Sequence, residues 1–169
     1  GGRFPSHIRT NEFISFEAGF NDFQNNLYKS KGTYTNIETS FKEVIRNISK
    51  KNKVILIYPI PEVGYDIPKK VFDYYLSGDL DLKDTETFFR YSYEIFKDKS
   101  KKVYELFDSL NFKNVIKVKP ENVLCNTIIK GKCEVHDKTN MYYIDSVHLS
   151  YPGSILVNDL IISKIDKLE

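Results

Sequence analysis

The feature that most constrains this chain is an unbroken apolar run, Val54-Ile55-Leu56-Ile57-Tyr58, set between a lysine-rich turn and Pro59-Ile60-Pro61-Glu62. A run this short, bounded by turn residues and rich in β-branched side chains, reads as a strand buried on both faces, as in a parallel sheet. Parallel strands need crossovers, and the flanking sequence supplies them. Before the run, Thr35 and Glu38 fit a capping box, and Ile37, Phe41, Val44, Ile45 and Ile48 recur on one helical face. After it, a short helix is expected over Lys69 to Leu76. The longest helical pattern follows, from about Thr85 to Leu110, with Phe88, Ile95, Val103, Leu106, Phe107 and Leu110 inward. The polar stretch Lys97 to Lys102 is where that pattern could break.

Val115-Ile116-Lys117-Val118 is a second strand, closed by Pro120, and Met141 to Ile144 is a short third. Ser150 can cap a last helix, with Pro152 in its first turn and Ile155, Leu156, Leu160, Ile161 and Ile165 buried. Strands alternating with helices imply an α/β fold around a central parallel sheet with right-handed crossovers. Residues 3 to 34 show little periodicity and many Asn, Ser, Gly and Phe residues. They read as a long, partly structured loop after a strand whose end is Gly1-Gly2, and loops this long are often functional.

The length, 169 residues, suits one domain, residues 1–169, and the 41% hydrophobic and 28% charged content is globular. Lys plus Arg at 25 against Asp plus Glu at 23 leaves +2, so no strong field points to nucleic acid. No apolar stretch approaches the roughly 20 residues of a membrane helix, so no membrane span is expected in this chain.

Cys125 and Cys133 allow two readings. A disulfide closing so short a loop stabilises by roughly 2.5 kcal/mol on the chain-entropy model, and would imply an oxidising compartment. The alternative is two free thiols in a cytosolic protein. A zinc site is disfavoured, because His136 is the only further ligand nearby. No metal and no cofactor are expected.

The sharpest local feature is Asp145-Ser146-Val147-His148-Leu149-Ser150, between a short strand and the last helix. In open α/β sheets ligands bind beyond the carboxyl ends of the strands, which is where this segment should lie. Three-residue spacing lets the carboxylate reach the imidazole Nδ1–H and leaves Nε2 free as a general base. The plainer alternative is an Asp that caps a turn and a His that packs. His7 and His136 read as exposed loop histidines, and the lysine runs as solvated helix faces.

Asp-x-x-His-Leu-Ser, followed by Gly153 and an apolar helix, resembles the last sequence block of SGNH (GDSL-type) hydrolases and esterases. More closely, the chain resembles the SGNH domain fused to membrane acyltransferases of the acyltransferase-3 group. Gly1-Gly2-Arg3-Phe4-Pro5, the strand followed by Pro59-Ile60-Pro61-Glu62, Arg90, Leu124-Cys125, and Cys133 ahead of Tyr143-Ile144-Asp145 occur in the matching order. The resemblance implies a flavodoxin-like three-layer sandwich and acyl transfer or ester hydrolysis through a serine acyl-enzyme. It implies His148 as the base, Asp145 as its orienter, and an oxyanion hole. It also implies an acyl donor delivered by a membrane domain, a carbohydrate acceptor such as a cell-surface polysaccharide, and a periplasmic domain of an inner-membrane protein.

The pattern departs at the nucleophile. No Gly-Asp-Ser occurs, and Gly78-Asp79 is followed by Leu80. Either the chain starts downstream of the nucleophile block and lacks its first strand or strands, or the domain is a non-catalytic relative that binds carbohydrate. The Gly1-Gly2 opening favours the first. A third reading is a stand-alone SGNH esterase. Gly19-Phe20-Asn21-Asp22 spells the superfamily's G-x-N-D block, which makes Asn21 an oxyanion candidate, although a chance match in an Asn-rich loop competes. Arg3 is the rival candidate to line the site.

Overall fold

In the computed structural model of the chain, residues 13–17, 29–30, 33–34, 37–78 and 89–166 are described, the first three segments as backbone only. In chain order the elements are β1 (Phe13–Glu17), β2 (Lys29–Ser30), β3 (Thr33–Tyr34), α1 (Ile37–Ser49), β4 (Lys53–Ile57), α2 (Ile67–Ser77), β5 (Tyr91–Ser92), α3 (Tyr93–Asp108), β6 (Val115–Val118), α4 (Glu121–Leu124), β7 (Lys132–Cys133) and α5 (Tyr151–Ile165).

The apolar run is the central strand. β4 pairs in parallel with β1 on one side, Phe13 opposite Lys53 through Glu17 opposite Ile57, and with β6 on the other, Val54 opposite Val115 through Ile57 opposite Val118. Val54, Leu56 and Tyr58 alternate onto one face, where they pack with Ile45 of α1, with Val103, Leu106 and Phe107 of α3, and with Leu110 just beyond it. Phe41 stacks on Phe107 at 5.5 Å, and Tyr58 meets Phe107 edge-on at 5.1 Å. Ile55, on the other face of β4, is only 6% exposed, so the strand is buried on both sides. The α/β fold with a parallel sheet is therefore as the sequence implied.

A second cluster gathers Val63, Ile67, Phe89, Tyr91, Phe96, Leu124, Val135, Tyr143 and Val157 around Cys125 and Cys133. Those cysteines are joined by a disulfide. β5 and β7 pair antiparallel beside it, Tyr91 opposite Cys133. Among the described residues no helix is long and apolar enough to cross a membrane.

Four expectations need correction. The stretch read as a loop contains β1, because Phe-Ile-Ser-Phe-Glu finds its hydrogen bonds on β4, a partner far along the chain that local periodicity cannot reveal. Met141 to Ile144 is no sheet strand. Its backbone pairs through the single bridges His136–Met141 and Tyr143–Leu149, and Tyr142 bonds locally to Val135. The long helix starts at Tyr93, since Ser92 caps it and the preceding residues pair with β7; Thr35 and residues 85–88 lie outside the described residues. It runs unbroken through Lys97 to Lys102, helped by Ser100, 1% exposed, whose hydroxyl donates to Phe96 O. Finally, α5 buries only Gly153 and Val157 fully. Leu156, Leu160, Ile161 and Ile165 are half-buried, and Ile155 is exposed, because this helix is apolar nearly all round and has no single inward stripe.

Candidate active site

The site is built at the carboxyl end of β4. Beyond Ile57 the chain runs through Pro59-Ile60-Pro61-Glu62-Val63, and the Asp145–His148 turn is fastened to it by two hydrogen bonds. Tyr143 Oη donates to Pro61 O at 2.7 Å, and Val63 N donates to Ser146 O at 3.0 Å. Tyr143 is 1% exposed, so the first of these bonds is sealed in the core. The placement matches the rule that open α/β sheets hold ligands beyond the carboxyl ends of their strands.

Within the turn, Asp145 accepts three hydrogen bonds. Its Oδ1 accepts from the backbone N–H groups of Val147 and His148, both at 2.7 Å, and its Oδ2 lies 2.7 Å from His148 Nδ1. Those donors favour the ionised carboxyl. The His148 backbone N–H, then that of Val147, then the His148 ring hold its pKa down to about 2. A charged carboxylate only accepts, so Nδ1 carries the hydrogen of that bond and Nε2 of the neutral ring is left with a free lone pair. The His148 side chain is 70% exposed and that of Asp145 38%. Ile144 N donates to His148 O at 3.0 Å, which closes the turn on itself.

The far side of the turn is fixed by α5. Ser150 accepts at Oγ from Gly153 N, and its own hydroxyl donates to Met141 O while its N–H donates to Tyr142 O. Gly153 is required by contact. A Cβ there would stand 2.2 Å from Tyr142 O and 3.1 Å from Leu149 Cδ2.

The structure thus brings Asp145 and His148 together and describes neither Arg3 nor Asn21, which lie outside the described residues. Arg90 is not helical. It precedes β5 and forms a buried ion pair with Glu134, side chains 4% and 3% exposed. His136 is half-buried rather than exposed, with Nδ1 2.8 Å from Asp137 O and its ring edge-on to Phe89. Tyr143, Ser146 and Val63 were not singled out as site-positioning residues by sequence. The signal in the sequence is Tyr143-Ile144 directly before the dyad, and spacing alone cannot convert that into a contact with Pro61.

Comparison with known proteins gives a consistent frame. The family described as SGNH domain (fused to AT3 domains) matches residues 1–163. No curated protein sequence matches. Among solved structures, the periplasmic domain of a lipopolysaccharide acetyltransferase from Salmonella ser. Paratyphi A is similar, with a TM-score of 0.51 and 20% identity. The match covers 80% of this chain and 53% of that one, so this chain spans about half the length of the structure it resembles, and the likeness is one of fold.

Proposed function

Because this chain belongs to the family of SGNH domains fused to AT3 domains, we propose that it carries the acid–base half of an acyl-transfer site acting on a cell-surface polysaccharide outside the cytoplasm. The observation that carries the reading is the 2.7 Å contact of Asp145 Oδ2 with His148 Nδ1 at the carboxyl end of β4. The periplasmic acetyltransferase domain among its structural neighbours supports the substrate class, and the disulfide suits an oxidising compartment.

In this reading a serine hydroxyl attacks the acyl carbonyl of the donor while His148 Nε2 takes its proton. Asp145 stabilises the imidazolium that results and stays ionised throughout. The tetrahedral intermediate expels the donor oxygen, which leaves with the proton from Nε2. A sugar hydroxyl then attacks the acyl-serine, passing its own proton to Nε2, and the serine recovers that proton as the sugar ester departs. The chain has no Gly-Asp-Ser segment, so the reading requires a serine supplied from outside residues 1–169. Asn21 and Arg3 are our candidates for the oxyanion and acceptor contacts. A membrane acyltransferase domain is the proposed source of the acyl group.

His148→Ala in the full-length protein is expected to lower acyl transfer by a factor of about a thousand or more while the domain keeps its melting temperature. A folded variant that retains transfer would end the assignment.

A further inference from the structure

The segment that follows β4 holds an unexplained charge. Glu62 is the only charged residue between Lys53 and Asp66. Its neighbours Pro59, Pro61 and Val63 are buried and it is itself half-buried, yet it makes no hydrogen bond or ion pair among the described residues. Its oxygens are not among the buried, unpartnered side-chain atoms of the described residues, so the charge is open to the surroundings of the site. Among the described residues no group pairs with the charge.

Its position does suggest a use. The two bonds that fasten the dyad turn flank Glu62 on either side. Pro61, just before it, accepts from Tyr143 Oη, and Val63, just after it, donates to Ser146 O. Tyr143 and Ser146 in turn bracket Ile144-Asp145. Glu62 is therefore carried on backbone locked beside the dyad, and Pro59 and Pro61 stiffen that backbone by fixing φ. A carboxylate presented this way is a preorganised acceptor of hydrogen bonds, and it needs donors that arrive with a ligand.

We propose that Glu62 is the acceptor-recognition group of this site, taking hydrogen bonds from sugar hydroxyls that neighbour the one being acylated. The inference rests on the acyl-transfer reading and deepens it. A ring bearing adjacent hydroxyls offers donors that an ionised carboxylate can accept with both oxygens, and bonds to a charged acceptor are the stronger kind. Losing them should weaken acceptor binding by about 10- to 100-fold.

The test compares two reactions of the full-length protein: transfer to its polysaccharide acceptor, and hydrolysis of an aryl acetate, which has no sugar hydroxyls. Glu62→Gln should raise the KM for polysaccharide about 10- to 100-fold with a much smaller change in kcat, so that transfer relative to aryl acetate hydrolysis falls at least about tenfold. Glu62→Asp, which keeps the charge on a shorter arm, should fall between wild type and Glu62→Gln. Equal losses in both reactions, or an unchanged ratio, would overturn the proposal. If Glu62→Gln does not fold, Glu62→Asp decides: a wild-type KM for polysaccharide overturns the proposal. Failure of the underlying reading is distinct, since it would show as His148→Ala retaining both reactions whatever Glu62 does.

Discussion

Replacing Gly153 by Ala tests how tightly the dyad turn is clamped to the last helix. Two effects oppose each other. Ala is favoured over Gly in a helix by up to about 1 kcal/mol. Against that, the new Cβ would lie 2.2 Å from Tyr142 O and 3.0 Å from Tyr142 C. The first distance is about 1 Å inside the roughly 3.3 Å at which a carbon and a carbonyl oxygen ordinarily meet. The obstacle is backbone, so no rotamer change relieves it and the start of α5 must lift. Lifting lengthens the 2.8 Å bond from Ser150 N to Tyr142 O and the bond from Ser150 Oγ to Met141 O. Overpacking costs about 1–3 kcal/mol and each weakened hydrogen bond up to about 1, so the net expectation is a loss of about 2–3 kcal/mol. For a domain of this size that is a fall in Tm of about 5–10 °C. Thermal unfolding followed by circular dichroism measures it directly. A Tm that is unchanged, or raised as helix propensity alone predicts, would refute the close-approach argument.

Two further outcomes follow from charges. Asp145 has its folded pKa lowered to about 2, below the ordinary 3.8, so its contribution is fully present above the ordinary value and is lost only as pH falls from about 4 towards 2. Carboxyl NMR should therefore give Asp145 a midpoint near 2, any loss of activity at pH values above about 4 must come from another group, and a midpoint at or above the ordinary value would sink the hydrogen-bonded geometry of the carboxylate. Arg90→Met strands Glu134 in the core and should destabilise by about 3–5 kcal/mol in denaturant titrations, with Arg90→Met/Glu134→Met recovering a large part; additive losses would mean the pair is not coupled.

What the sequence disclosed depended on how local the signal was. Val54–Tyr58 announced a doubly buried strand because its own five side chains are all apolar, and Ser150 and Pro152 announced a helix start because capping is settled within one turn. Asp145 and His148 were legible for the same reason, since their contact spans three residues. β1 was not, because its five residues become a strand only by pairing with β4, some forty positions on. Nor was the Arg90–Glu134 pair, which joins residues 44 apart. The exposed face of α5 was missed for another reason. A helix apolar on most sides has no periodic contrast from which to read an inward direction.

The contacts also divide the Asp-x-x-His-Leu-Ser-x-x-Gly block into two kinds of residue. Asp145 and His148, the pair proposed to act on the acyl group, stay accessible, the imidazole most of all at 70% exposure. Ser150 and Gly153 seat the turn against Met141 and Tyr142, while Tyr143 and Val63 seat its other side against the segment after β4. The turn is thus gripped from two directions, by the hydroxyls of Tyr143 and Ser150 and by the backbone N–H groups of Val63 and Ser150. Such a grip suits the general-base role proposed for His148, because proton transfer tolerates little error in the position of Nε2. It also accounts for how an accessible histidine is held: its Nδ1 and its backbone N–H both bond to one carboxylate, which the Val147 N–H fixes in turn.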